Sequence, residues 1–370
     1  MNYFNNPNYF THFENLVNKE YSKKYLLNEI SKLFPKDFLN KNGNPFTSLF
    51  TVENGNPKTS KGNKLKVHTK ILHMSPHTSS KNYFNKVLNK WIQLKDIELE
   101  RIKDLYLIDQ KFDKALNQIN DILDFLEPYK KFTFNFCSMA SNGCIKACLF
   151  KSGNPIFDRN DNKTNARHKR SIAFFILRPI FLRLLKIELN ESFRSFKNSP
   201  KFKDFDILGI RLNGTQDSKW ESIYFDNGES VINYIIRVGR YFGIKVKVYD
   251  YTKILNRHLK KNFPKEYHLT FSYSGDNESD CVKALNSGLN VSIPFINGIP
   301  KKYYINNKWY EVFNGDSSDC RFLDPKNVIV GLGFKFNTKD KISRDIQIKQ
   351  AIKSGFAIDT LNNVNCKGVQ

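Results

Sequence analysis

The chain has no apolar run able to cross a bilayer. Its most apolar stretch, Ile172 to Leu185, is interrupted by Arg178, Pro179 and Arg183, too short and too charged for a membrane span. The opening residues, Met1-Asn2-Tyr3-Phe4-Asn5-Asn6-Pro7, lack the basic segment and apolar run of an export signal. A reducing cytoplasm is therefore the expected compartment. There, clustered cysteines bind metal or react more often than they form structural disulfides. Acidic residues are scarce: 36 Asp and Glu stand against 59 Lys and Arg, a formal charge of +23. Such an excess favours a polyanion such as nucleic acid as partner. It is also spread along a chain rich in Lys, Asn, Ile and Phe, as a gene biased to A and T codons encodes, and a solvated surface accounts for it equally. No P-loop order, no H-E-x-x-H helix and no Ser/His/Asp arrangement stands out.

What is present supports a real core. Hydrophobic residues make up 40% and aromatics 14% of 370 residues, enough for one large domain or two average ones. Residues 1–50 read as a leader with one amphipathic helix, carried by Phe13, Leu16, Val17, Tyr21, Leu26, Ile30 and Leu33 and stopped by Pro35. In residues 51–80, Gly55-Asn56-Pro57-Lys58-Thr59-Ser60-Lys61-Gly62 suits an anion, or a plain surface loop. Residues 81–129 read as a helical hairpin. Its seam, Leu105, Ile108, Phe112, Ala115, Ile119, Ile122 and Leu126, steps by three and four over about three heptads. It either packs within the chain or self-associates.

From Phe132 the periodicity changes. Phe132-Thr133-Phe134-Asn135-Phe136 alternates like a strand. A helix broken near Pro179 is expected over Lys163 to Phe196. Strands follow at Asp206 to Leu212, Ile244 to Tyr249, Tyr267 to Ser272, Leu289 to Phe295, Lys308 to Phe313 and Val328 to Leu332. Helices are expected at Ser230 to Phe242, Ile254 to Lys261 and Asp280 to Ser287. Alternation of this kind predicts an α/β fold, a parallel (β/α) barrel or partial barrel, with an open doubly wound sheet as the alternative.

In such a fold the site lies at the carboxyl ends of the strands. Three of the six cysteines, Cys137, Cys144 and Cys148, fall within twelve residues as C-x6-C-x3-C, directly after the first expected strand. Three thiolates suit three irons of a four-iron cluster. They equally suit zinc, with His73, His77 or His168 as a fourth ligand, and three free thiols are the bland alternative. Other strand ends are polar as well: Arg211 to Asp217, Tyr249 to Lys253, Ser272 to Ser274, and Asn314-Gly315-Asp316 with Asp319-Cys320-Arg321. Each taken alone is an ordinary cap or turn.

These segments resemble the bacteriophage gene product 88 family. The matching pieces are Gly55 to Gly62, Leu72-His73-Met74-Ser75-Pro76, the cysteine motif through Leu149, and Arg211-Leu212-Asn213-Gly214-Thr215-Gln216-Asp217 with Trp220-Glu221. They continue with Tyr249 to Lys253, Leu269 to Ser272, Gly315-Asp316, Asp319, Arg321 to Pro325 and Val330-Gly331-Leu332. The resemblance implies an α/β core over residues 51–80 plus 130–370, with a leader at 1–50 and a helical insertion at 81–129. Ser138 stands where the family often has proline.

The layout also resembles radical S-adenosylmethionine enzymes, though their usual spacing is C-x3-C-x2-C. That likeness implies a [4Fe-4S] cluster on Cys137, Cys144 and Cys148, and S-adenosylmethionine oriented by Asn213, Thr215 and Asp217. It places Asp250, Asp316 and Asp319 toward substrate or in proton transfer. The expected function is a metal- or iron–sulfur-binding enzyme in a host cytoplasm. The alternatives are a basic nucleic-acid-binding protein with zinc, or an assembly protein associating through residues 105–126.

Overall fold

A computed structural model of the chain describes residues 21–51, 61–104, 110–148, 150, 161–336 and 342–370. The glycine- and lysine-rich stretch up to Ser60, and Phe13, Leu16 and Val17, lie outside the described residues. What is described of the leader holds one helix, α1 (Lys23–Ser31), capped by the Ser22 hydroxyl on the Tyr25 N–H. Residues 79–126 hold the two expected helices, α2 (Ser79–Asp104) and α3 (Gln110–Leu126), packed on each other. Leu126 is buried in the main core of this same chain with Ile122 packed beside it, and Ile119 is buried as well. Those seam residues are therefore spent within the chain.

The body is built on a sheet whose first strand is β1 (Val67–Ile71). Next come the short α4 (Asn142–Lys146), then α5 (Asn162–Ile176) and α6 (Arg178–Asn198). The break between α5 and α6 falls where Pro179 denies the helix a backbone donor, as expected. Then follow β2 (Ile207–Arg211), α7 (Val231–Tyr241), β3 (Val246–Thr252), β4 (Tyr267–Ser272), α8 (Glu278–Asn286) and β5 (Val291–Ile296). The chain ends with β6 (Pro300–Ile305), β7 (Lys308–Asn314), β8 (Ile329–Gly333), α9 (Arg344–Lys353), β9 (Ile358–Asp359) and β10 (Cys366–Val369).

The strand order is β1-β2-β3-β4-β5-β8-β7-β6-β10. Every pairing from β1 through β8 to β7 is parallel, whereas β6 pairs antiparallel with both β7 and β10. The parallel part is thus continuous, but the sheet does not close: among the described residues no strand pairs with the outer edge of β1. The loop after β7 packs on the sheet face at the β1 end. Cys320 and Phe322 pack on Val67 and Ile207, and the Lys61 ammonium bonds the Asp316 carbonyl.

Two expected elements are absent. Phe132 to Phe136 forms no strand. Its alternation serves an aromatic cluster, with Phe134 at φ +53°, fully buried, and its ring 4.9 Å from Phe84, 5.1 Å from Phe132 and 5.8 Å from Phe175. Ile254 to Lys261 yields only a single turn of 3-10 helix at Arg257–Leu259. The strand expected to stop at Tyr249 runs on to Thr252, which puts Asp250 inside β3.

The helices α5 and α6 and the strands β2 and β3 share one core with α1, α2 and α3. Glu188 on α6, 3% exposed, accepts the Ser48 hydroxyl at 2.8 Å and the Leu49 N–H at 2.9 Å, and Lys23 lies 3.3 Å from its other oxygen. A buried carboxylate is tolerated because one oxygen accepts these hydrogen bonds and the other faces the Lys23 ammonium. Truncating Phe134 to alanine should cost about 3–5 kcal/mol, read as a lowered midpoint in urea unfolding with an unchanged slope.

Candidate functional site

The parallel strands point their carboxyl ends to one side, and the loops there meet. The β2 loop is fixed first. Asn213 is buried, and its side chain is fully used: Nδ2 donates to the Ser218 carbonyl at 2.9 Å, while Oδ1 accepts Ser218 N–H at 3.0 Å and the Trp220 indole at 2.9 Å. Gly214 is required where this loop meets the end of β1. An added Cβ would lie 2.6 Å from the His73 ring and 2.7 Å from the Leu72 carbonyl. Thr215 donates to the Met74 carbonyl. Asn213 and Thr215 therefore shape the loop with their side chains.

Asp217 takes the Lys253 N–H at 2.7 Å and lies 3.2 Å from Arg257. The Arg257 guanidinium, 1% exposed, also pairs with Glu221 at 2.7 Å and reaches the Thr252 hydroxyl at 3.0 Å, the Ser218 carbonyl at 3.3 Å and the Tyr267 hydroxyl at 3.3 Å. Burial alone would weaken its charge, yet Tyr267, Glu221 and Asp217 hold it above its ordinary value. This one side chain, absent from the sequence-derived set, welds the β2 loop to the end of β3. No local motif marks it.

The three cysteines sit beside that weld. None of Cys137, Cys144 and Cys148 is bonded to another cysteine, and each is half-buried. Cys144 begins to be placed by Ser141, whose hydroxyl caps α4 by accepting the Cys144 N–H at 3.0 Å and donates to the Ser274 carbonyl beyond β4 at 2.7 Å. Lys253, half-buried at the end of β3, hydrogen-bonds the Cys144 thiol. Burial pulls its ammonium down. Cys144, Asp217 and Cys137 outweigh that and hold it above its ordinary value. Burial pushes the Cys137 thiol up to about 12, against a hydrogen bond from the His77 backbone; Asp217 and Cys148 raise it further and Lys253 opposes them. The three cysteines, Asp217 and Lys253 thus share one neighbourhood, although among the described residues no three His, Cys, Asp or Glu side chains stand close enough to hold a metal ion. Of the three histidines named as a fourth ligand, His77 adjoins Cys137 through its backbone, whereas His73 is beside the Thr51 hydroxyl at 3.2 Å and His168 beside Ser75 at 2.9 Å, with burial lowering its pKa to about 4.

A narrow cleft of about 40 Å³ opens beside Cys148, bounded by Gly143, Ala147, Phe334, Lys335 and Ser354. Asp316 borders this region: its carboxylate accepts the Gly333 N–H at 3.0 Å and lies 3.2 Å from Lys335. Asp319 is on the sheet face opposite the helices, 2.7 Å from Arg211, which also lies over the Tyr251 ring at 4.9 Å. Asp250 is on the helix-facing side, fully buried, accepting the Asn213 N–H at 2.7 Å and the Tyr267 hydroxyl at 2.7 Å. Hence the three aspartates do not converge, and only Asp316 adjoins the cysteine cleft.

Burial raises the Asp250 carboxyl from 3.8 to about 7, despite its two hydrogen bonds and the nearby Arg211 and Arg257. Between these two values the folded chain keeps a proton that the unfolded chain has lost, so this residue makes stability fall as pH rises from about 4 to about 7. Asp250→Asn should flatten that segment of the stability-against-pH curve, measured by thermal melts from pH 4 to pH 8.

Among the described residues no helix is long and apolar enough to cross a membrane. No curated protein and no solved structure matches the chain. The family model for gene product 88 does match, over residues 102–360, a span holding the cysteine loop and every strand from β2 to β9. The chain belongs to the gene product 88 family.

Proposed function

We propose that the chain is an enzyme whose site is the carboxyl mouth of the parallel sheet, with Cys137, Cys144 and Cys148 as thiolate ligands of an iron–sulfur cluster. The observation that carries this reading is the nearness of Cys137 and Cys144 to Lys253 at the end of β3, with Cys148 and Asp217 of the β2 loop beside Cys137. The donor chemistry suits a soft metal, and the separation of the side chains means that loading must draw the loop inward. Cys137 must release its proton on loading, and the Lys253 ammonium favours that release by stabilising a thiolate.

A bound cluster of this kind supplies one-electron chemistry. The chain's own residues do the rest. Arg257 and Asp217 hold the end of β3 against the β2 loop, which fixes where Lys253 reaches. S-adenosylmethionine belongs to the same proposal, lying along the Asn213 to Asp217 loop. Since Asn213 bonds within that loop, Thr215 bonds the Met74 carbonyl, and Asp217 holds the Lys253 N–H and Arg257, the loop backbone is left to contact the cofactor. Asp316 and Lys335 offer a carboxylate and an ammonium at the cleft beside Cys148. These are the groups proposed to meet substrate there.

Anaerobic purification with iron and sulfide analysis tests the reading. Roughly four iron and four sulfide per chain are expected. Replacing Cys137, Cys144 or Cys148 singly by alanine should each abolish most of the iron, while Cys281→Ala leaves it unchanged. Zinc in place of iron, lost with the same three substitutions, would replace the cluster by a zinc centre. A protein that takes up neither metal after reconstitution would sink both.

A further inference from the structure

At the edge of the sheet farthest from β1, the strands β6, β7 and β10 make an antiparallel ribbon. Its tight turn is set by Asn306 and Asn307, both left-handed at φ +50° and +57°, the conformation that a two-residue hairpin of matching twist demands. That turn fixes the register and so the two faces. One face buries Tyr303, Ile305, Tyr310 and Val312 in the second core of the molecule. The other carries Lys302, Tyr304, Trp309, Glu311 and Lys367, because Tyr304 is opposite Trp309 and Lys302 is opposite both Glu311 and Lys367.

On this outer face the Tyr304 and Trp309 rings lie 5.2 Å apart, and the Lys367 ammonium sits 4.4 Å from the Trp309 ring centre. Lys302 and Lys367 are exposed on this face. Against them stands Glu311, paired with Lys302 at 2.8 Å. Two adjacent aromatic rings flanked by two lysines offer stacking and phosphate neutralisation at once. A flat face of this kind stacks unpaired bases and has no means of reading a closed duplex. The chain's formal charge of +23 favours the same polyanion.

We propose that the outer face of the β6–β7–β10 ribbon binds single-stranded nucleic acid, with bases on Tyr304 and Trp309 and phosphates on Lys302 and Lys367. The bound base takes the place of the Lys367 ammonium on the indole, and the freed ammonium turns to a phosphate. This surface is independent of the cysteine mouth and of the reading given for it.

Fluorescence anisotropy with a labelled fifteen-residue oligothymidylate tests the proposal. The native chain should bind it at low salt more tightly than a duplex of equal length. Tyr304→Ala with Trp309→Ala should weaken binding about tenfold or more, and Trp309→Phe should restore much of the loss. Lys302→Ala with Lys367→Ala should weaken binding and flatten its salt dependence. The control pair Lys260→Ala with Lys261→Ala removes the same charge elsewhere and should change little. Circular dichroism confirms that each variant is folded. Absence of binding, equal affinity for duplex, or aromatic variants that bind as the native chain does would each overturn the proposal.

Discussion

The buried Arg257 guanidinium is the interaction on which the mouth of this molecule depends. It comes from a single 3-10 turn after β3 and touches two carboxylates, a hydroxyl, a phenol and a carbonyl drawn from three segments. A buried cation is costly unless its donors are satisfied, and removing one partner of such a pair costs far more than the pair contributes. The network therefore acts as a constraint on position. It fixes the β2 loop against β3, and this fixes Asp217 and Lys253. Without it, the lysine has no defined place among the thiols.

Around that constraint the rest of the fold divides by function. The aromatic cluster at Phe132 to Phe136 seats the approach to the cysteine loop on α5, through Phe136 at 4.4 Å from Phe175. Ser141 then bridges the loop to the end of β4. The cysteines are thus held by contacts to separate strands, as expected where parallel strand ends converge. The opposite sheet face is polar and closed by the loop carrying Asp319 to Phe322, whose Phe322 ring lies 5.3 Å from Tyr249. The antiparallel ribbon is a separate device at the far edge.

Much of this was legible in the sequence where local physics decides. The β4 boundaries follow from alternation bounded by turn residues, and the α5–α6 break from Pro179. Phe132 to Phe136 misled because a period of two in aromatics serves a packed cluster as well as a strand; a left-handed Phe134 leaves no signature in residue types. The first strand was instead Val67–Ile71, where the same alternation does pair. The cysteine spacing was visible, but Lys253 and Arg257 acquire their roles only from contacts made across the fold. The reading of Asp250 and Asp319 as site groups rested on strand ends. Asp250 turned out to lie within β3 and Asp319 on the other face. Of the β6–β7–β10 ribbon only β7 was expected, as Lys308 to Phe313; β6 and β10 escaped notice because lysines and tyrosines at an edge look like surface loop.

The central claim is that the three thiols at the mouth act together as one ligand set. X-ray absorption at the iron edge of the anaerobically reconstituted protein tests it most directly. The account predicts sulfur neighbours at about 2.3 Å with the short iron–iron scattering of a cluster, both lost in the Cys144→Ala protein. A first shell of nitrogen and oxygen alone, unchanged by that substitution, would contradict it.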